Sequence, residues 1–180
     1  DIIYLDAPVS GGTSGAKSGT LALMVSGNQK AFEEIENILA SMAQNRFFVG
    51  EAPGQAQAMK LLNNFLSATA MTATSEAIAF GARLGLNPRI MIDVLNSSSG
   101  QNTATQDKFP QRILTETYDA GFTIDLLNKD VELYLDEASR AGSGHTVAKT
   151  VGQVVSRIQE AMPGADFTKI YPFTASQRGD

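Results

Sequence analysis

From Gln55 to Leu84 the sequence holds no proline, is rich in alanine, and places Met59, Leu62, Leu66, Met71 and Ile78 among its apolar positions. Proline breaks a helix interior and alanine favours one, so the stretch predicts a helix of about 30 residues, about 45 Å long. Gly85, followed by Asn87-Pro88, supplies a stop and a new start. A short helix is predicted over Pro88 to Leu95, with Ile90, Met91, Val94 and Leu95 inward. Asn96 to Gln106 is a polar stretch of Ser, Thr and Asn. Further helices are predicted at about Asp125 to Ala141 and Thr146 to Ala161, before a tail that carries Phe167 and Tyr171. Everything after about residue 50 therefore reads as all-helical.

The first fifty residues have a different pattern. Ile2 to Leu5 is a short, β-branched apolar run that reads as a buried strand. Ser10 to Gly19 has loop composition, and Thr20 to Ser26 reads as a second strand closed by the turn pair Gly27-Asn28. From Gln29 to Ala43, Phe32, Ile35, Ile38, Leu39 and Met42 recur at helical spacing and predict an amphipathic helix. Phe47 to Val49 is a third short strand. These fifty residues thus read as a strand, strand, helix, strand unit. An all-helical domain built on one long helix follows over residues 51–180.

Composition removes several classes of function. The chain has 180 residues, 43% of them hydrophobic, which is enough for a proper core. The formal net charge is −5, and lysine and arginine are scattered, so no basic stripe for nucleic acid is present. There is no cysteine and His145 is the sole histidine, which excludes disulfides, thiolate metal sites and multi-histidine metal sites. No apolar run approaches the roughly 20 residues that span a bilayer. The opening DIIYLDAPVSGG lacks the features of a signal peptide and reads as the interior of a longer protein. A cytoplasmic, reducing setting is expected.

Three segments could carry chemistry. Ser10-Gly11-Gly12 follows a strand, and two glycines let backbone N–H groups approach an anion such as a substrate carboxylate. By itself the segment reads more readily as an ordinary turn. Lys60 shares a helical face with Asn63 and Asn64, three and four residues later. Flanked by Met59, Leu61 and Leu62 near a domain junction, it could be partly desolvated, and burial lowers a lysine pKa as acid/base work at neutral pH requires, although a solvated helix face is the commoner case. Lys129-Asp130 lies in a helix where Lys129 and Glu132 at i,i+3 could simply be a surface ion pair. His145 has no acid or nucleophile arranged around it, and neither GxGxxG nor the Walker pattern occurs.

Taken together and in order, these segments resemble the β-hydroxyacid dehydrogenase family, nearest to its 3-hydroxyisobutyrate dehydrogenases. Asp6-Ala7-Pro8-Val9-Ser10-Gly11-Gly12, continued by Gly15-Ala16 and Gly19-Thr20-Leu21, is similar to the family's substrate-binding signature. Gly54-Gln55-Ala56-Gln57-Ala58-Met59-Lys60-Leu61-Leu62-Asn63-Asn64 is similar to its catalytic-lysine segment. Glu76-Ala77, Gly85-Leu86, Asn96-Ser97-Ser98-Ser99-Gly100, Gly121-Phe122, Lys129-Asp130 and Asp166-Phe167 follow in family order.

The resemblance implies an α/β remnant, the last strands and a helix of a dinucleotide-binding domain, in residues 1–50, with NAD or NADP as cofactor and a small carboxylate substrate; charge and the lack of a long apolar run leave no nucleic-acid or membrane partner expected. It implies Lys60 as the acid/base, Ser10, Gly11, Gly12 and Asn64 at the substrate, and Lys129 at the cofactor, with no metal. Asp130 points about 100° away from Lys129 on an ideal helix and is the lesser candidate. A homodimer or homotetramer formed through the helical domain is also implied. The glycine-rich cofactor loop of the family would lie in a preceding segment, so this chain is expected to be inactive alone. Two other activities stay open at this point. One is a reductase of tartronate semialdehyde, glyoxylate, succinic semialdehyde or a sulfonated analogue, with the polar stretch from Asn96 to Asp107 lining its pocket. The other is a non-catalytic oligomerisation module.

Overall fold

The computed structural model of the chain describes residues 2–177. These fall into two compact units, one ending at Asn63 and one starting at Asn64.

The first unit is built on a small sheet. Its central strand is β3 (Ala22–Gly27), flanked on one side by β1 (Leu5–Asp6) and β2 (Val9–Ser10), and on the other by β4 (Asn45–Gly50). β1 and β2 pair antiparallel to β3 in a single register, Leu5 opposite Gly27, Asp6 opposite Ser26, Val9 opposite Leu23 and Ser10 opposite Ala22. They are two halves of one edge strand. Pro8 interrupts it because proline has no N–H to give to the ladder, yet its carbonyl still accepts from the Met24 N–H at 3.0 Å. β3 and β4 run parallel, joined by α2 (Gln29–Met42) in a βαβ crossover. Asn28 starts that helix by accepting from the Ala31 N–H at 2.9 Å.

Leu23 and Val25 of β3 meet Leu39 of α2 and the following Ala43, with Leu5, Leu21, Phe32 and Ile35 around them. Ile38 and Met42, expected on the inward face of α2, are exposed, because this small sheet covers only half of the helix's apolar stripe.

Two other expectations are corrected in this unit. The run Ile2 to Leu5 is not a buried strand: Ile2, Ile3 and Tyr4 are exposed and only Leu5 pairs. β3 ends at Gly27, opposite Leu5, so the three residues before Leu5 lie beyond the end of the strand with which Leu5 pairs. The glycine-rich segment from Ser10 to Gly19 is not a loop either. It contains α1 (Gly12–Ser18), closed by Gly19 in the left-handed conformation at φ 70°. Gly15 is buried against Leu21, where an added Cβ would meet the Leu21 Cδ2 atom at 3.2 Å. The glycines permit a cap and a close approach rather than flexibility.

The long helix, α3 (Gln55–Arg83), forms as its composition demands, and the boundary between the two units falls within it. Its N-terminal amides are satisfied from the sheet. Asp6 Oδ1 accepts from the Gly54 N–H at 3.0 Å and from the Ser26 hydroxyl at 2.6 Å. Asp6 Oδ2 accepts from the Gln57 N–H at 3.3 Å, and Ser26 Oγ accepts from the Ala56 N–H at 2.9 Å.

In the second unit α3 ends where expected. Gly85, at φ 83°, precedes Leu86, whose N–H returns to the Gly81 carbonyl at 3.0 Å, and Asn87 caps α4 (Pro88–Asn96). Next come a π-helical segment (Ala104–Ile113), α5 (Ile124–Arg140), α6 (Thr146–Ala161), a 3₁₀ turn (Phe167–Lys169) and α7 (Ile170–Ser176). The core joins Met71 and Ile78 of α3 to Ile92, Phe109, Leu127, Val131, Val155, Ile158 and Ile170. In the first half of α3, Met59, Leu62 and Leu66 are exposed while Ala56, Asn64 and Ala68 are buried. Ile90 and Val94 of α4 are likewise exposed, and Ile92 is the buried residue. Helical spacing identifies the stripe, but a face made of small and polar residues carries no apolar signal.

Burial by itself pushes the Asp6 carboxyl up, but the bonds from Ser26, Gly54 and Gln57 outweigh it and leave the group below its ordinary range. The group therefore titrates lower in the folded than in the unfolded chain. The stability it contributes is present above about pH 4 and is lost as pH falls through the lowered folded value. Asp6→Asn is expected to cost about 1–3 kcal/mol at neutral pH. It should also flatten the acid limb of the stability profile, measured by urea unfolding at a series of pH values. An unchanged acid limb would contradict this assignment.

Candidate functional site

The first unit holds the glycine-bearing loop and the lysine. Ser10 ends β2, and Gly11 and Gly12 follow at φ 123° and 60°, backbone conformations that L side chains rarely adopt. The Gly11 carbonyl accepts from the Gly15 N–H at 2.9 Å as the chain enters α1. Lys60 sits half-buried on α3, one turn after the amides held by Asp6 and Ser26. Asn63, three residues further, donates through Nδ2 to Ser10 Oγ at 3.3 Å. The structure thus ties the helix that carries Lys60 to the Ser10-Gly11-Gly12 loop twice, through Asp6 at the start of α3 and through Asn63 two turns along. Asn63 was visible in the sequence only as a residue sharing Lys60's helical face, and Asp6 only as the first residue of the signature.

The second unit holds Asn64, Lys129 and Asp130. Asn64 is buried and donates through Nδ2 to Asp130 Oδ2 at 2.5 Å. Lys129 Nζ lies 3.1 Å from Asp130 Oδ1, with the lysine side chain 60% exposed and the aspartate 11%. The expected Lys129–Glu132 surface pair is replaced by this contact. Glu132 instead accepts from Asn128 Nδ2 at 2.9 Å. Asp130, the lesser candidate by helical angle, is the residue α5 buries, and that angle leaves Lys129 directed outward. A stacked pair, Phe65 on Tyr134 with centroids 4.3 Å apart, holds α3 against α5 beside it.

The polar stretch from Asn96 onward spends most of its hydrogen bonds on its own backbone. Asn102 Oδ1 accepts from the Ala104 and Thr105 N–H groups, Asn96 Nδ2 donates to the Thr105 carbonyl, and Gln101 Nε2 donates to the Asn96 carbonyl. These bonds brace the entry to the π-helical segment, an element that composition did not reveal. Two further signature pieces meet in space: Asp166 accepts from the Gly121 N–H at 2.8 Å, and the Phe167 N–H donates to the Phe122 carbonyl at 2.9 Å. His145 precedes α6, with Nδ1 2.8 Å from the Ser143 carbonyl. Among the described residues no three His, Cys, Asp or Glu side chains group to hold a metal ion, and no helix is long and apolar enough to cross a membrane.

The first unit carries a βαβ sheet with a glycine loop at the end of its edge strand, and the chain continues along one long helix into a helical unit. Residues 1–50 match the family described as the NAD-binding domain of 6-phosphogluconate dehydrogenase. Residues 54–174 match the one described as NAD-binding of NADP-dependent 3-hydroxyisobutyrate dehydrogenase. The chain belongs to the β-hydroxyacid dehydrogenase family.

It is 38% identical over 142 residues to 2-(hydroxymethyl)glutarate dehydrogenase of Eubacterium barkeri, covering 79% of this chain and 46% of that protein. It is 34% identical over 178 residues to 3-hydroxyisobutyrate dehydrogenase of Pseudomonas aeruginosa, covering 94% and 59%. The solved structure of Mycobacterium tuberculosis 3-hydroxyisobutyrate dehydrogenase with L-serine superposes with a TM-score of 0.85 at 28% identity, covering 94% of this chain and 60% of that one. The chain spans about half the length of the curated relatives it matches.

The buried Asn64–Asp130 bond gives a direct test of this part of the site. Asn64→Leu removes a donor from a buried carboxylate and is expected to cost about 1–3 kcal/mol in urea unfolding. A stability equal to that of the unsubstituted chain would show that the bond is replaced at no cost.

Proposed function

We propose that this chain is the C-terminal part of an NAD(P)-dependent β-hydroxyacid dehydrogenase. Residues 1–50 would close its dinucleotide-binding domain, and residues 51–180 would form its helical substrate and oligomerisation domain. The observation that carries the reading is the double tie between α3 and the Ser10-Gly11-Gly12 loop, which supports a carboxylate clamp and an acid/base built as one body. The shared length with the relatives supports a preceding segment that completes the cofactor site.

The compounds named with the similar proteins share one chemical core. 3-Hydroxyisobutyrate, 2-(hydroxymethyl)glutarate and L-serine are all 3-hydroxypropanoates that differ at C2. The proposed site uses what they share. The Ser10 hydroxyl and the Gly11 and Gly12 amides bind the carboxylate, which fixes the position of the primary carbinol. Lys60, neutral at the start of oxidation, takes the hydroxyl proton, and in reduction the protonated lysine returns it. Asn64, one helical turn from Lys60 and held by Asp130, orients the lysine or the hydroxyl.

When bound, the nicotinamide ring supplies the hydride acceptor. Lys129 fits a role at the cofactor because its side chain is exposed while Asp130 steadies its ammonium. The exposed apolar side chains of Phe80, Leu84, Ile90 and Val94, on the end of α3 and on α4, support assembly as a homodimer or homotetramer.

In the full-length protein Lys60→Ala is expected to lower kcat by about 10²–10⁴-fold with folding intact, since that is what a positioned acid/base contributes. The assay is NAD- and NADP-linked oxidation of the three 3-hydroxypropanoates, alongside reduction of tartronate semialdehyde and glyoxylate. Turnover like that of the unsubstituted protein would overturn the mechanism. No turnover of any substrate by the unsubstituted protein would favour the oligomerisation module.

A further inference from the structure

We propose that Asp6, acting with Ser26, is a positioning residue for proton transfer: it sets where α3 presents Lys60 relative to the substrate-carboxylate loop. The proposal rests on the reading of Lys60 as the acid/base.

Protein donors take up most of the carboxylate's acceptor capacity. The group is buried, its Oδ1 accepts from Ser26 Oγ and the Gly54 N–H, and its Oδ2 accepts from the Gln57 N–H. Ser26 is buried too and passes the contact on, accepting from the Ala56 N–H. Three amides of the first turn of α3 are therefore held by two side chains of the sheet.

A local side-chain cap comes from a Ser, Thr, Asp or Asn at the helix's own N-cap position. Gly54 stands there instead, at φ 94°. The capping groups come from strands 30 and 48 residues earlier in the chain. A remote cap does what a local one cannot: it fixes the direction of the helix axis against the sheet.

Two strands converge on this clamp. Asp6 lies on the same interrupted edge strand as Ser10, four residues before it, and Ser26 lies opposite Asp6 on the central strand. Lys60 follows Gln57 by three residues and Ala56 by four, one turn along α3. Asn63 then returns to Ser10 at 3.3 Å. One carboxylate thus holds the strand that ends in the carboxylate clamp and the helix that carries the proton acceptor. A displacement of about 1 Å between reacting groups can cost about 10²-fold in rate.

The test uses the full-length protein and a β-hydroxyacid it turns over, well below each variant's unfolding temperature. Asp6→Asn is expected to lower kcat by about 10²-fold and Ser26→Ala by about tenfold, with the substrate KM changed less than about threefold. Both should raise the solvent deuterium isotope effect on kcat, because proton transfer to a displaced lysine becomes slower than the remaining steps. A purely structural role would lower the unfolding temperature and leave the isotope effect alone.

The Lys60→Ala background separates the two levels of the argument. There, with ethylamine added as a mobile base, Asp6→Asn should change the rescued rate by less than about twofold. An equal loss in both backgrounds would show that Asp6 acts through something other than Lys60. Folded Asp6→Asn and Ser26→Ala proteins with unaltered kcat and isotope effect would also overturn the proposal. Should Asp6→Asn not fold, Ser26→Ala decides alone. Full activity of Lys60→Ala would instead overturn the reading of the lysine and leave the geometry of the clamp standing.

Discussion

The first unit depends on a single buried carboxylate. Asp6 sits on an edge strand broken by Pro8, and its oxygens reach the central strand through Ser26 and the long helix through Gly54 and Gln57. A buried charge is tolerable only when donors surround it, and here the donors are the helix amides that would otherwise lack partners. Each side therefore solves the other's problem. The favourable field at a helix N-terminus acts in the same direction. Without this contact α3 would lose two of the amide bonds that fix its start against the sheet.

The second unit is organised by burial more than by charge, with polar contacts placed where elements must meet in one way. Phe109, Leu127, Val131, Val155 and Ile158 supply the apolar core, which specifies packing density but little about register. Register comes from contacts such as Asn64 with Asp130, and Asp166 with the Gly121 N–H. The same segments resemble the family's motifs in the sequence. A signature here marks residues that join elements as much as residues that touch a ligand.

Much of this was legible in the sequence. The long helix followed from the absence of proline and the abundance of alanine, its end from Gly85, and the next start from Asn87-Pro88. The order strand, helix, strand of β3, α2 and β4 was legible, the helix from its spacing, whereas their parallel pairing was not. The failures have physical causes. Ile2 to Tyr4 read as strand because β-branched residues favour strands, but a strand also needs a neighbour, and β3 ends at Gly27. Ser10 to Gly19 read as loop because glycine permits turns, whereas Gly15 and Gly19 serve close packing and a helix cap. The buried face of the first half of α3 left no apolar signal in the sequence, because Ala56, Asn64 and Ala68 bring no large apolar side chain to it. Lys60 and Ser10 were legible as candidates; the contacts that tie their elements together, through Asp6, Ser26 and Asn63, join residues 30 to 53 positions apart and leave no local pattern.

The proposed function places both the carboxylate clamp and the acid/base of a β-hydroxyacid dehydrogenase on one strand–helix body. The most direct test is a crystal structure of the full-length protein with NAD(P) and a bound 3-hydroxypropanoate. The account requires the substrate carboxylate on the Ser10 hydroxyl and the Gly11 and Gly12 amides. It also requires Lys60 Nζ within about 2.6–3.2 Å of the substrate's C3 hydroxyl, the reach of direct proton transfer. A carboxylate bound elsewhere, with Lys60 in contact with neither the hydroxyl nor a water bridging to it, would contradict the account.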